Sequence, residues 1–142
     1  EMCIRDSSTT AKKFGAETTA NAGLIAPRPW NLIVQPGEKS FEQLLGEIDN
    51  GIYVTNDWYL RYQNYRTGDF STIPRDGMFL IKNGQISASI RELRISDNML
   101  RIMRNIRDLS RSRSWIRWWE VSIPTLTPYA VIEDLNFTKS GM

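Results

Sequence analysis

The dipeptide Asn83-Gly84 constrains this chain more than any other feature, because it obliges the segments on either side to fold back on one another. Asn and Gly both tolerate positive φ, and the tight turn whose twist matches a hairpin needs positive φ at its two central residues. Residues 78–90 are therefore read as two strands around that turn. They close a longer stretch, 56–86, whose first part carries Trp58, Tyr59, Tyr62 and Tyr65, side chains that offer flat amphipathic surface. Its middle part, Arg66-Thr-Gly-Asp-Phe-Ser71, is a polar elbow short of helix formers. Thr67, Asp69 and Ser71 can bond local N–H groups there, and Gly68 can supply an unusual φ.

Punctuation and period give the other elements. Residues 26–30 form an extended lead-in, since the residue before each proline is pushed towards β or polyproline conformations. Residues 31–34 read as a short strand stopped by Pro36-Gly37. Ser40 caps a helix expected over about 40–48, with Phe41, Leu44, Leu45 and Ile48 at helical spacing and Glu42, Gln43 and Glu47 outside. A strand starts at Ile52. Residues 90–95 continue as strand, and Ser96 is expected to cap a second helix over about 97–111. Asp97 sits in its first turn, and Met99, Ile102, Met103, Ile106 and Leu109 make the apolar stripe. Residues 115–123 return to strand composition, Pro124 and Pro128 bound a short loop, and residues 129–137 form a last strand. Residues 9–23, small and polar, read as a surface loop. The expected class is α+β: a mostly antiparallel, barrel-like sheet with two helices, about 40–48 and 97–111.

Composition narrows the chemistry. With 142 residues, 41% hydrophobic and 24% charged, the chain suits one globular domain. A formal charge of +2 demands no polyanionic partner. The single cysteine, Cys3, allows no internal disulfide, and with no apolar run of membrane-spanning length the expectation is a cytoplasmic protein. Histidine is absent altogether. That removes the two-histidine zinc helix and any Ser/His or Cys/His nucleophile from this stretch of polypeptide.

Three constellations remain. Between Arg91 and Arg117 eight arginines face three acids, a local net charge of +5, and Trp115, Trp118 and Trp119 sit at the end. Arg101, Arg104, Arg107 and Arg111 lie off the apolar stripe of the expected helix and form a candidate basic face. Guanidinium groups beside indoles suit a nucleic acid. The plainer reading, a helix that buries its stripe and wets its arginines, is favoured. In the elbow, Asp69 with Thr67 and Ser71 has the groups to orient a peptide backbone or a water, or merely to stitch a turn. The acids form no catalytic pair: Asp57, Asp69 and Asp76 are scattered through loops, and no cluster has metal-ligand spacing.

The order of several motifs carries a resemblance. Asn64-Tyr-Arg-Thr-Gly-Asp-Phe-Ser71 followed by Ile81-Lys-Asn-Gly-Gln-Ile86 resembles the C-terminal domain of the TldD/PmbA family of metallopeptidase subunits, also described as modulators of DNA gyrase. Asn31-Leu-Ile-Val-Gln-Pro-Gly37 upstream, and Leu93-Arg-Ile-Ser-Asp-Asn-Met-Leu100 with Ile123-Pro-Thr-Leu-Thr-Pro-Tyr129 downstream, extend it over roughly residues 20–138. Residues 1–19 are then a non-matching fragment end and loop, and 20–142 the domain.

The resemblance implies paired homologous subunits. A TldD-type subunit carries a His-Glu-x-x-x-His helix upstream of this domain and adds a cysteine ligand from the domain itself. A PmbA-type (TldE) subunit lacks the metal and completes the chamber in which unfolded peptides are cut. The cysteine would fall near Trp118-Trp119-Glu120, where this chain has none. The elbow wording is closer to the PmbA type. The expectation is thus a non-catalytic subunit, with no catalytic or metal residue in this stretch and zinc in the catalytic partner or the upstream half. Its partners would be a TldD-type subunit in a heterodimer, or a homodimer copy, together with unfolded peptide. Trp58, Tyr59, Tyr62, Asn64, Tyr65, Thr67, Gly68, Asp69 and Ser71 are its candidate peptide-channel or interface residues. Two other classes stay open: an active zinc metallopeptidase whose ligands all lie upstream, and a basic nucleic-acid-binding module.

Overall fold

The computed structural model describes residues 8–15, 29–57 and 59–139. In chain order the elements are α1 (Ser8–Phe14), β1 (Leu32–Ile33), α2 (Phe41–Gly46), β2 (Asn50–Val54), β3 (Arg61–Asn64), β4 (Asp69–Thr72), β5 (Met78–Lys82), β6 (Gln85–Ile90), β7 (Leu93–Asn98), α3 (Met99–Arg104), β8 (Ile106–Trp118), β9 (Val121–Ile132) and β10 (Phe137–Lys139). The strands form three open sheets, ordered β1-β9-β8, β10-β7-β4-β3 and β2-β5-β6. The class is α+β and mostly antiparallel; the sheets do not close into a barrel. The chain divides into two compact units. One holds residues 1–34 and 114–127, the other residues 35–113 and 128–142.

The second unit is organised by the hairpin. Asn83 and Gly84 both have positive φ, 47° and 74°, and they join β5 to β6 as the sequence requires. Their backbone N–H groups bond Asp49 O at 2.8 Å and Ile48 O at 2.9 Å, so the turn docks just beyond the end of α2. That helix begins with a reciprocal cap: Ser40 Oγ accepts from Gln43 N, and Ser40 N donates to Gln43 Oε1 at 2.8 Å. Leu44, Met78 and Ile81 are buried here, and Phe70 and Ile95 are buried in the sheet that carries the elbow. Phe41 packs on Tyr129, ring centroids 4.7 Å apart, and on Tyr53 at 5.5 Å. Such tilted pairs add to the area they bury.

Four expectations fail, each for a local reason. The helix expected over 97–111 stops at Arg104. Asn105 caps it, accepts the Glu133 N–H with its backbone oxygen and donates its side-chain amide to Glu133 O, at the point where the β8/β9 pairing begins. From Ile106 onward an apolar period of 3.6 competes with Ser and Arg alternating at a period of 2, and the second wins. Arg107 and Arg111 are therefore strand residues, and the four-arginine helix face does not exist. Ser96 lies inside β7, and the cap is Asn98. Pro124 and Pro128 lie inside β9 rather than bounding a loop, flanking Thr125 and Leu126, the two residues paired in parallel with β1. Residues 9–14, read as part of a loop, belong to the helix Ser8–Phe14.

Candidate functional site: a bulged edge strand and a polar hollow

The elbow is a turn held by its own side chains and one neighbour. Gly68, at φ 81°, donates its N–H to Asn64 O at 2.9 Å, and Asn64 Oδ1 accepts from Arg66 N at 3.0 Å. Thr67 Oγ1 donates to Asp69 Oδ2 at 2.6 Å. Asn98 joins this turn to α3. Its Nδ2 donates to Thr67 O and Asp69 Oδ1, each at 2.7 Å, while its Oδ1 accepts from Leu100 N and Arg101 N. The bonds from Asn98, and then Thr67, hold the Asp69 carboxyl below the ordinary range.

β3 is the outer strand of its sheet, and all four of its residues are exposed. Tyr62 stands opposite Phe70 and Asn64 opposite Asp69, which leaves Gln63 as the extra residue of a β-bulge. Across β4, Phe70 pairs with Asp97 of β7. The Asp97 side chain is only 2% exposed. It accepts from Arg101 Nε at 2.8 Å, from Arg101 Nη2, and from the backbone N–H groups of Asn98 (2.6 Å) and Asn136 (2.8 Å). Arg101 leads in pulling its pKa from 3.8 to about 2, against the opposing effect of burial. Arg101 also donates to Asp134 O.

Between these groups lies an open hollow of about 700 Å³, lined by Gln63, Asp69, Phe70, Ser96, Asp97, Arg101 and residues 134–136. Of the sequence-derived candidates among the described residues, the structure brings only Asp69 and Arg101 into it. Tyr62 and Tyr65 lie beside it as a ring pair 5.0 Å apart, with Tyr65 84% exposed. Tyr59, at φ 70°, is covered by the Arg61 guanidinium at 3.8 Å. Ser71 is an interior hydroxyl that accepts from Arg94 Nη1 at 2.8 Å and lies 3.3 Å from Ser96 Oγ. Trp58 lies outside the described residues. Arg107 pairs with Glu133, and Arg111 donates to Glu38 O. Sequence reasoning missed Gln63, Asn98, Asp134 and Asn136. For Asn98 a signal existed, since Ser96-Asp97-Asn98 offers three cap formers in a row, but nothing local chooses among them.

Zinc does not fit the described residues. No group of three His, Cys, Asp or Glu side chains among them is placed to hold a metal ion. At the β8/β9 turn stand Trp118, Trp119 and Glu120, and an indole N–H is a donor, not a ligand.

The chain matches known proteins in sequence and in fold. The sequence model described as the PmbA/TldA metallopeptidase C-terminal domain matches residues 6–139, and the chain belongs to that family. It is 33% identical over 105 residues to an Archaeoglobus fulgidus metalloprotease, covering 71% of this chain and 24% of that one. It is 32% identical over 124 residues to the metalloprotease PmbA of Escherichia coli, covering 84% and 26%. Among solved structures, a candidate modulator of a DNA gyrase from Thermotoga maritima superposes with a TM-score of 0.74 at 32% identity, covering 93% of this chain and 29% of that one. TldE from Thermococcus kodakarensis gives 0.70 at 21% identity, covering 92% and 30%, a likeness of fold. The chain spans about a quarter of the length of the curated relatives it matches. No helix among the described residues is long and apolar enough to cross a membrane.

Proposed function

We propose that this chain is the C-terminal domain of a PmbA-like, metal-free subunit, and that it forms a wall of a peptide chamber and subunit interface rather than a cutting site. The observation that carries this reading is the outer edge of β3. β3 ends its sheet among the described residues, beside the exposed Tyr62–Tyr65 ring pair, and an extended unfolded peptide can add to a sheet edge through main-chain hydrogen bonds. Exposed aromatics of this kind are also enriched at subunit contacts. The tryptophans at the β8/β9 turn, where the family resemblance implies a cysteine ligand, support the metal-free assignment. Zinc and bond cleavage would then belong to a homologous TldD-type partner, in a cytoplasmic heterodimer.

A second reading has one observation in its favour. The relatives of which this chain covers a quarter are named metalloproteases, so metal ligands upstream in the same polypeptide would make the whole protein a peptidase in its own right.

The test is reconstitution of the full-length protein with its homologous partner. Tyr62→Ala with Tyr65→Ala is expected to weaken subunit pairing or peptide cleavage. Unchanged pairing and cleavage overturn the assignment.

A further inference from the structure

We propose that the two Asn-Gly dipeptides, Asn50-Gly51 and Asn83-Gly84, form one guarded deamidation site, in which the docked hairpin turn holds both asparagines inert and modification of Asn83 releases Asn50. No other Asn-Gly occurs in the sequence. The fold sets these two side by side. Asn50 stands opposite Lys82 in the β2/β5 ladder, and one position further on Asn83 N bonds Asp49 O at 2.8 Å.

The chemistry needs water alone. The glycine nitrogen gives up its proton and attacks the asparagine Cγ; the bond from Cγ to the side-chain nitrogen breaks, and ammonia leaves with that proton. Water then opens the cyclic imide at either carbonyl, which leaves aspartate or its β-linked isomer and a new negative charge. Ring closure requires the glycine nitrogen and the asparagine Cβ to lie on the same side of the Cα–C bond. Asn83 has φ 47°, and left-handed backbone, with ψ of about 47°, sets them on opposite sides. The Gly84 N–H is also donated to Ile48 O at 2.9 Å, so its proton is held. Asn50 begins β2, where an extended ψ of about 135° turns the next nitrogen away from Cβ, and Gly51 is paired with Ile81. Both asparagines are exposed to water, so backbone conformation rather than access is what blocks the reaction.

The order follows from what each site must release. The turn at Asn83 opens by giving up its two backbone bonds to Asp49 and Ile48. Asn50 must leave the β2/β5 ladder as well, and those same two bonds fasten the residues just before it. A β-linked aspartate at position 83 adds a backbone carbon inside the turn, which carries the N–H groups of residues 83 and 84 out of register with Asp49 O and Ile48 O. The end of β2 then frays, and local fraying is the state in which Asn50 can react.

The experiment incubates the whole chain at mildly alkaline pH, folded and in urea, and locates aspartate and its β-linked isomer by digestion and mass spectrometry. The folded chain is expected to lose each amide at least about 10-fold more slowly than the chain in urea. Chains altered at Asn50 should be found among those already altered at Asn83, which separate from the parent by charge. Asn83→Gly, which removes the first step and keeps a residue suited to the turn, should hold Asn50 at its slow rate. In Gly84→Ala, whose Cβ would lie 2.9 Å from Gly46 Cα, the turn is pushed off α2, and Asn50 should react about 10-fold faster. Ser110→Ala weakens β8 equally in the closed and the locally opened chain, so both rates should stay at the parental value.

Equal rates in the folded chain and in urea overturn the guard. Acceleration by Ser110→Ala equal to that by Gly84→Ala assigns the reaction to global unfolding and overturns the shared gate. So does loss of the Asn50 amide in chains whose Asn83 is intact, at the rate seen in chains whose Asn83 is altered. That last comparison uses the parent chain alone and decides the matter even where Gly84→Ala does not fold.

Discussion

The hydroxyl of Ser110, whose residue is fully buried, accepts the backbone N–H of Tyr129 at 2.9 Å and donates to Ser112 O at 2.7 Å. Ser110 O meanwhile accepts from Gly37 N, and Arg111 N donates to Lys39 O, so this point of β8 is bonded on both sides. A side chain replaces the ladder bond next to Pro128, a residue that brings no N–H of its own. Ser110→Ala leaves the Tyr129 N–H without its acceptor and is expected to cost about 1–3 kcal/mol. Urea unfolding checks this: the midpoint should fall with the slope unchanged.

The Asp97–Arg101 pair sets the acid limit of the fold. Asp97 has a folded pKa of about 2, below its ordinary 3.8, so its contribution to stability is complete above the unfolded value and is lost as pH falls from about 4 towards 2. Asp97→Asn removes the charge-assisted bonds from Arg101, Asn98 and Asn136. It is expected to lower stability near neutrality by about 1–2 kcal/mol. It should also flatten the loss between pH 4 and 2, which urea midpoints measured at pH 6, 4, 3 and 2 would resolve.

Gly84 meets Gly46 too closely for any other residue. A Cβ on Gly84 would lie 2.9 Å from Gly46 Cα and 3.0 Å from Gly46 O, and φ there is 74°. Gly84→Ala is expected to cost about 2 kcal/mol, since strain and overlap act together. Asn83→Gly, at φ 47° in the same turn, should change stability far less. Thermal unfolding of the two variants in parallel separates the turn's conformational demand from the contact with α2.

This turn also shows what the sequence makes legible. Asn83-Gly84, the Ser40 cap and Gly68 were readable because each is a local steric or hydrogen-bonding demand met within a few residues. The span 97–111 was not. Met99, Ile102, Ile106 and Leu109 satisfy a helical stripe that overlaps the period-2 run of Ser and Arg, and the pairing of Asn105 with Glu133 decides between the two. The hollow was illegible for the same reason. Asp69, Asp97 and Asp134 are scattered along the chain, and only the register of β4 on β7 together with the reach of Arg101 brings them to one place. What decides both is contact between distant residues, which neither propensity nor period encodes.

Asn98 serves two structures with one amide, and a pair of substitutions can divide its roles. Asn98→Ala removes the α3 cap and both donors to the elbow, with a cost of about 1 kcal/mol from the cap alone. Asn98→Asp keeps an oxygen that can cap Leu100 N and Arg101 N, but it replaces the amide donor with a charge facing Asp69 and Thr67 O. If the elbow depends on that donor, the aspartate variant should be no more stable than the alanine variant. Hydrogen exchange should then show faster opening at Gly68 and Met99, whose N–H groups bond Asn64 O and Gly68 O, in both variants. If capping is the main role, the aspartate variant instead recovers the parent midpoint and the elbow amides stay protected.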